Sequence, residues 1–179
     1  LHINEGGSTN VILAEAVQKM LEENLGVYVN IETVQFPALL ERFINGRIDF
    51  WRAAWIADYP DPQNFFKLFY GKSVPDIGPN GEMLPSHSNF SRFRNKDFDD
   101  YYEKALASND LKEQNAFYHK CDSLLIAEAA FMPIYYDQYI RLLQLNVRAF
   151  PQNAMEYRDF TRVFLSKEWS FIFQVQFFL

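Results

Sequence analysis

Two prolines, Pro60 and Pro62, interrupt the run Trp51–Tyr70 (WRAAWIADYPDPQNFFKLFY), and this interruption constrains the fold more than any other feature. Neither proline has a backbone N–H to give to a ladder, so no central strand can pass through them. The residue before each is pushed out of the helical region, which makes Tyr59 and Asp61 extended. Upstream, residues 48–57 are almost continuously apolar, the pattern of a strand buried on both faces. Downstream, Asn64 to Tyr70 resumes as a helix whose bulk is Phe65, Phe66, Leu68 and Phe69. A strand stopped this abruptly leaves its last side chains at the carboxyl edge of a sheet. In open α/β sheets, that edge is where ligands bind.

The flanking sequence supplies the rest of such a sheet. Leu1 to Ile3 alternates as a short strand, and Ser8 or Thr9 is placed to cap the helix that follows. Ile12, Leu13, Ala16, Val17, Met20 and Leu21 define that helix's inner face, and Gly26 ends it. Val27, Val29 and Ile31 then alternate with polar residues, which predicts a βαβ unit with parallel pairing. Pro37 opens a short helix with Leu39, Leu40, Phe43 and Ile44 on one face, closed by Gly46. Residues 71–89 are rich in Gly and Pro and read either as a lid or, preferably, as a solvated insertion, since nothing polar in them specifies a partner. Asn95 or Asp97 starts a helix to about Ala107 with Phe98, Tyr101, Tyr102, Ala105 and Leu106 inward. Asp110 starts another to about Ala129, facing inward with Phe117, Cys121, Leu124 and Leu125. Phe131–Tyr136 and Tyr139–Leu145 look extended around a turn at Asp137-Gln138. The Phe-rich tail 166–179 is too short to span a bilayer as a helix and suits a strand on an exposed edge.

Charge and composition narrow the function. A net charge of −6 without a basic run argues against nucleic acid. The single cysteine, Cys121, excludes an internal disulfide and reads as a small buried hydrophobe. His2, His87 and His119 have no ligand spacing, so neither a metal nor another cofactor is expected. Gly6-Gly7 precedes a helix without any phosphate-loop motif. There is no nucleophile motif, and Asp58 with Asp61 is the one carboxylate pair that invites a hydrolase reading. At 49% apolar, the chain suits one domain or one lobe of a larger protein. It begins on Leu1 inside an expected strand, so it reads as a segment of a longer chain, with any export signal or lipid-attachment cysteine upstream.

The stretch WIADYPDPQNF resembles the signature of the extracytoplasmic solute-binding proteins of peptide ABC importers, the dipeptide- and oligopeptide-binding family 5 type. That pattern is an apolar strand, Trp, one or two short residues, Asp, Tyr-Pro-Asp-Pro and Asn-Phe. Phe98-Asp99, the link from Ala105-Leu106 to Asp110, and Met132-Pro133-Ile134-Tyr135-Tyr136 are similar to the C-terminal half of the same family. The resemblance implies an α/β, periplasmic-binding-protein-like (type II) lobe, a mixed sheet flanked by helices, as part of an incomplete two-lobed fold. Residues 1–135 would be the second lobe, 136–165 a return segment toward the first, and 166–179 an atypical tail. The implied function is capture of a small peptide, or a similar amine-bearing solute, for a membrane permease. It places the protein in the periplasm or at the cell surface, meeting the membrane only through that permease or a lipid anchor. Other members take sugars, haem or metal chelates. Asp58 resembles the aspartate that pairs with the ligand's free α-amino group, and Trp55 the aromatic wall of a side-chain pocket, with Tyr59 beside them. From the residues alone, an acid among aromatics suits a ligand with a cationic end and an apolar body. Asp58 is equally suited to capping the next turn and Trp55 to the core, while Asp61, Pro62 and Asn64 build the loop.

Overall fold

The computed structural model describes residues 1–136, 139–153, 155, 157–166 and 173–178. They form two units, one of residues 1–56 with 61–131 and the other of residues 57–60 with 132–179.

The first unit opens with β1 (His2–Asn4), α1 (Ser8–Leu25) and β2 (Glu32–Val34). β1 and β2 pair in parallel, His2 opposite Glu32 and Asn4 opposite Val34, as the βαβ reading requires. The second strand begins at Glu32 rather than Val27. Ahead of it, Asn30 O accepts from the Leu1 nitrogen at 2.7 Å. α1 ends at Gly26, whose φ of 64° suits a residue without a side chain. Its first turn is preceded by Gly7 and carries no side-chain cap, contrary to the Ser8 or Thr9 expectation. Its inner face is also rotated from the expected one. Asn10 is buried and donates to the carbonyls of Asn4 (3.2 Å) and Gly6 (3.1 Å), which turns Asn10 and Ala14 inward. Ile12 and Met20 are left 60% and 64% exposed.

α2 (Phe36–Ile44) follows with Pro37 in its first turn and Leu39 and Phe43 buried. These two residues pack with Val34 and Ile48 against Trp51 and Phe90. The expected strand over 48–57 shrinks to one parallel bridge, His2 with Trp51, closed by Phe50 O with His2 N and His2 O with Arg52 N. Ile48 is buried, but residues 53–56 are exposed. Pairing stops at the Trp51 bridge although β1 runs on to Asn4. Continuous apolarity reports a need for burial without reporting that a partner is present.

α3 (Gln63–Phe66) and two single turns of tighter helix, Lys67–Phe69 and Gly71–Ser73, carry the chain out of the proline segment. Residues 71–94 then form an anchored strap. Arg92 donates to the carbonyls of Ile44 (3.0 Å) and Leu84 (2.8 Å), and Arg94 to those of Val74 and Pro75 (both 3.0 Å). Asn89, fully buried, gives its amide to Tyr70 O and Phe93 O. Gly71 is buried and its N–H donates to Asp99 Oδ1 at 2.8 Å. A Cβ at Gly71 would lie 2.8 Å from Asp99 Oδ2 and 3.3 Å from the Arg94 backbone. Gly71→Ala is therefore expected to cost about 1–3 kcal/mol, read as a lower urea midpoint with an unchanged slope.

α4 (Lys96–Ala107) and α5 (Leu111–Ala127) make the expected helical hairpin. Asn95 caps the first by accepting from Phe98 N (3.0 Å), and Asp110 caps the second by accepting from Lys112 N and Glu113 N (2.8 and 2.9 Å). Phe98, Tyr102, Ala105, Tyr118, Cys121 and Leu125 form its core, under Phe66, Phe69 and Tyr70 from the preceding turns. Leu106, expected inward, is 51% exposed.

The second unit holds β3 (Tyr139–Gln144), β4 (Val147–Arg148), β5 (Phe164–Leu165) and β6 (Phe173–Phe178). β3 pairs antiparallel with β6, and β4 with β5. Part of the Phe-rich tail is thus a strand, from Phe173 to Phe178, while residues 167–172 and 179 lie outside the described residues. The expected Asp137-Gln138 turn also lies outside them, and Phe131–Tyr136 forms no strand. Among the described residues, no helix is long and apolar enough to cross a membrane.

Candidate functional site

The turn after the two prolines is held by its own carboxylate. Asp61 Oδ1 accepts the Gln63 N–H at 2.7 Å, and Asp61 O accepts from Asn64 N at 3.0 Å. This is the short side-chain-to-backbone loop that aspartate makes well. The same Asp61 oxygen accepts from the Tyr118 hydroxyl at 3.3 Å, and Gln63 Nε2 donates to the Tyr102 hydroxyl at 2.9 Å. The turn is therefore pinned to both helices of the hairpin. Burial, reinforced by the Asp61 charge, pushes the Tyr118 phenol well above its ordinary range and keeps its proton in place. Asp61, expected to build the loop, does so. Half of the carboxylate pair that invited a hydrolase reading is thus engaged in structure.

Asn64 is fully buried, and its Oδ1 accepts the indole N–H of Trp55 at 2.7 Å. Trp55 is 40% exposed, and the Lys67 ammonium lies 5.5 Å from the centre of its ring. The tryptophan is neither core nor loose: its polar edge is tied inward while much of the ring faces out. Asp58 is exposed, and Tyr59 is 40% exposed. Trp55 belongs to the first unit, and Asp58 and Tyr59 to the segment counted with the second. What the structure brings together is Trp55, Asn64 and Lys67. Asn64 had been read only as a loop builder and Lys67 not at all. Asn64 stands in the signature stretch, but its reach to Trp55 is made by the turn and carries no sequence mark.

Below this turn, the titratable groups work as staples. Glu103 accepts from Lys72 Nζ and the Tyr70 hydroxyl, which together hold its carboxyl below the usual range. The Tyr70 phenol is pushed up to about 12 by the Glu103 hydrogen bond and by burial. Burial raises the Asp99 carboxyl against the opposing effect of the Gly71 N–H. Cys121 is fully buried, and its thiol is pushed up to about 12 by that burial, so it is inert packing.

Comparison with known proteins places this geometry in context. Residues 1–76 match the family described as bacterial extracellular solute-binding proteins, family 5 Middle. The periplasmic murein peptide-binding protein MppA of Escherichia coli (strain K12) is 30% identical over 145 residues, 80% of this chain and 24% of that protein. The solved structure of the Escherichia coli murein tripeptide-binding protein superposes with a TM-score of 0.61 at 26% identity, covering 72% of this chain and 23% of the other. The periplasmic binding protein DppA of Helicobacter pylori, solved with the peptide STSA, gives 0.62 at 28% identity, covering 74% and 24%. The chain spans about a quarter of the length of the curated relatives it matches. The fold is accordingly that of periplasmic peptide-binding proteins, mixed helix and sheet from a two-lobed architecture. The relatives are solute-binding proteins rather than enzymes.

Proposed function

We propose that this chain, whose residues 1–76 match family 5 of the bacterial extracellular solute-binding proteins, is part of such a protein, and that the whole protein captures short peptides outside the cytoplasm for an ABC importer. What supports this reading most is one sequence similarity, seen both in the local signature and over most of the chain. The chain carries the Trp55, Asp58, Tyr59 and Pro60 signature, and the relatives it matches are named for binding peptides.

Three side chains carry the chemistry. Asp58 receives the ligand's free α-ammonium, a charge-assisted hydrogen bond that strengthens as water is excluded. Trp55 offers the exposed part of its ring to an apolar ligand side chain. Tyr59, 40% exposed, adds a hydroxyl and a second aromatic surface. Residues 1–135 serve as the second lobe and 136–165 return toward the first. The lobes close over the peptide by a hinge, and a permease then accepts it. The protein binds and releases its cargo without chemistry.

Calorimetric titration of unblocked tripeptides into the whole protein tests the reading. The expected result is saturable binding with a negative heat-capacity change, the mark of apolar burial. Absence of binding across di- to pentapeptides, with binding of a sugar or metal chelate instead, would overturn it.

A further inference from the structure

We propose that Asn64 is the positioning residue for Trp55, setting the angle at which the indole ring meets a bound ligand. In its consequence for ligand choice, this rests on the peptide-binding reading above. The argument begins with chemistry. An indole has one polar donor and no acceptor, so a single hydrogen bond fixes how its ring is turned about the bond to the backbone. Trp55 makes that bond to Asn64 Oδ1 at 2.7 Å, a short and well-formed contact.

The acceptor is itself immobile. Asn64 is fully buried on α3, and that turn is fastened by the Asp61 carboxylate to Gln63 N and by Gln63 and Asp61 to the hydroxyls of Tyr102 and Tyr118. The chain of contacts therefore runs from the core of the hairpin, through a fixed amide, to an indole that is still 40% exposed. The Lys67 ammonium, 5.5 Å from the ring centre, packs on the same indole and limits its tilt. A ring held at its N–H edge offers one fixed surface. A ring released there can swing to suit side chains of different shape, so losing Asn64 broadens selectivity more than it weakens binding.

The test reads the ring directly. Indole N–H resonances of the 15N-labelled protein are recorded, the Trp55 signal being the one lost in Trp55→Phe. In the unaltered protein this proton is expected to exchange with water at least about tenfold more slowly than a solvated indole. Exchange at the solvated rate overturns the proposal without any variant at Asn64. Asn64→Leu is expected to remove the protection and shift the resonance, while Asn64→Asp, which keeps an oxygen facing the indole, restores both. An Asn64→Leu protein that is folded but keeps the wild-type Trp55 signal also overturns the proposal. If Asn64→Leu fails to fold, the exchange rate in the unaltered protein and in Asn64→Asp decides.

Selectivity is read separately, with Ala-Ala-Ala, Ala-Leu-Ala and Ala-Phe-Ala as probes of the whole protein. Asn64→Leu is expected to compress the spread of their affinities by about fivefold, about 1 kcal/mol by the usual conversion. An unchanged spread overturns the link to selectivity. If the unaltered protein binds none of the three, the peptide reading is decided by the di- to pentapeptide titration above, and the exchange measurement alone decides the role of Asn64.

Discussion

Replacing Asp58 by Asn is expected to weaken binding of an unblocked tripeptide to the whole protein by about 2–4 kcal/mol, about 30- to 1000-fold in Kd. The size follows from what the substitution removes. Asparagine keeps the shape and one acceptor oxygen but loses the charge, so the ligand's ammonium stays where water has been excluded without its counter-charge. An uncompensated charge in such a place costs far more than a lost surface pair. Acetylating the peptide's amine removes the other half of the same interaction. The two changes should therefore not add: Asp58→Asn with an acetylated peptide should lose little beyond either change alone. Calorimetry of the four combinations measures this coupling. Two independent, additive losses would mean that Asp58 shapes the loop rather than holding the amine. Asp58 is exposed in this chain, and the melting temperature of the variant serves as the control for its fold.

The contrast between Asp58 and Asp61 shows how far the sequence could be read. Both stand in the same short motif, Asp58 suited to a ligand's amine or to capping the next turn and Asp61 to building the loop. The proline pair made the break in the chain unavoidable, and the helical hairpin after it was written in plain terms by Asn95, Asp110 and the apolar spacing between them. Pairing was harder. Residues 48–57 look like a buried strand because their apolarity is real, yet their ladder with β1 is a single bridge at Trp51. The rotation of α1 was hidden for a different reason. It depends on Asn10 reaching back to Asn4 and Gly6, a contact that pattern-matching on apolar residues ignores. Trp55 was legible as an aromatic with a purpose, but its tether was not. Asn64 lies nine residues on, and only the folded turn turns its amide toward the indole.

Phe98→Ala is expected to destabilise the first unit by about 3–5 kcal/mol, enough to consume much of the stability of an ordinary domain. Phe98 is fully buried on α4, with its ring 5.6 Å from Phe93, 6.2 Å from Tyr102 and 6.3 Å from Phe66. Removing it opens a void among aromatic rings too rigid to collapse into it, which is where such truncations cost most. Phe66, which stacks on Tyr118 at 5.2 Å, is two residues beyond Asn64, so loss of Phe98 also loosens the support of the turn that carries the Trp55 tether. Urea unfolding followed by near-ultraviolet circular dichroism checks the first claim through a lower midpoint. Exchange of the Trp55 indole N–H checks the second, and it should quicken in Phe98→Ala even under conditions where helix content is intact. Phe98→Leu, which refills most of the space, should recover the greater part of both. An indole that stays protected while the midpoint falls would separate the core of the hairpin from the site it was expected to hold.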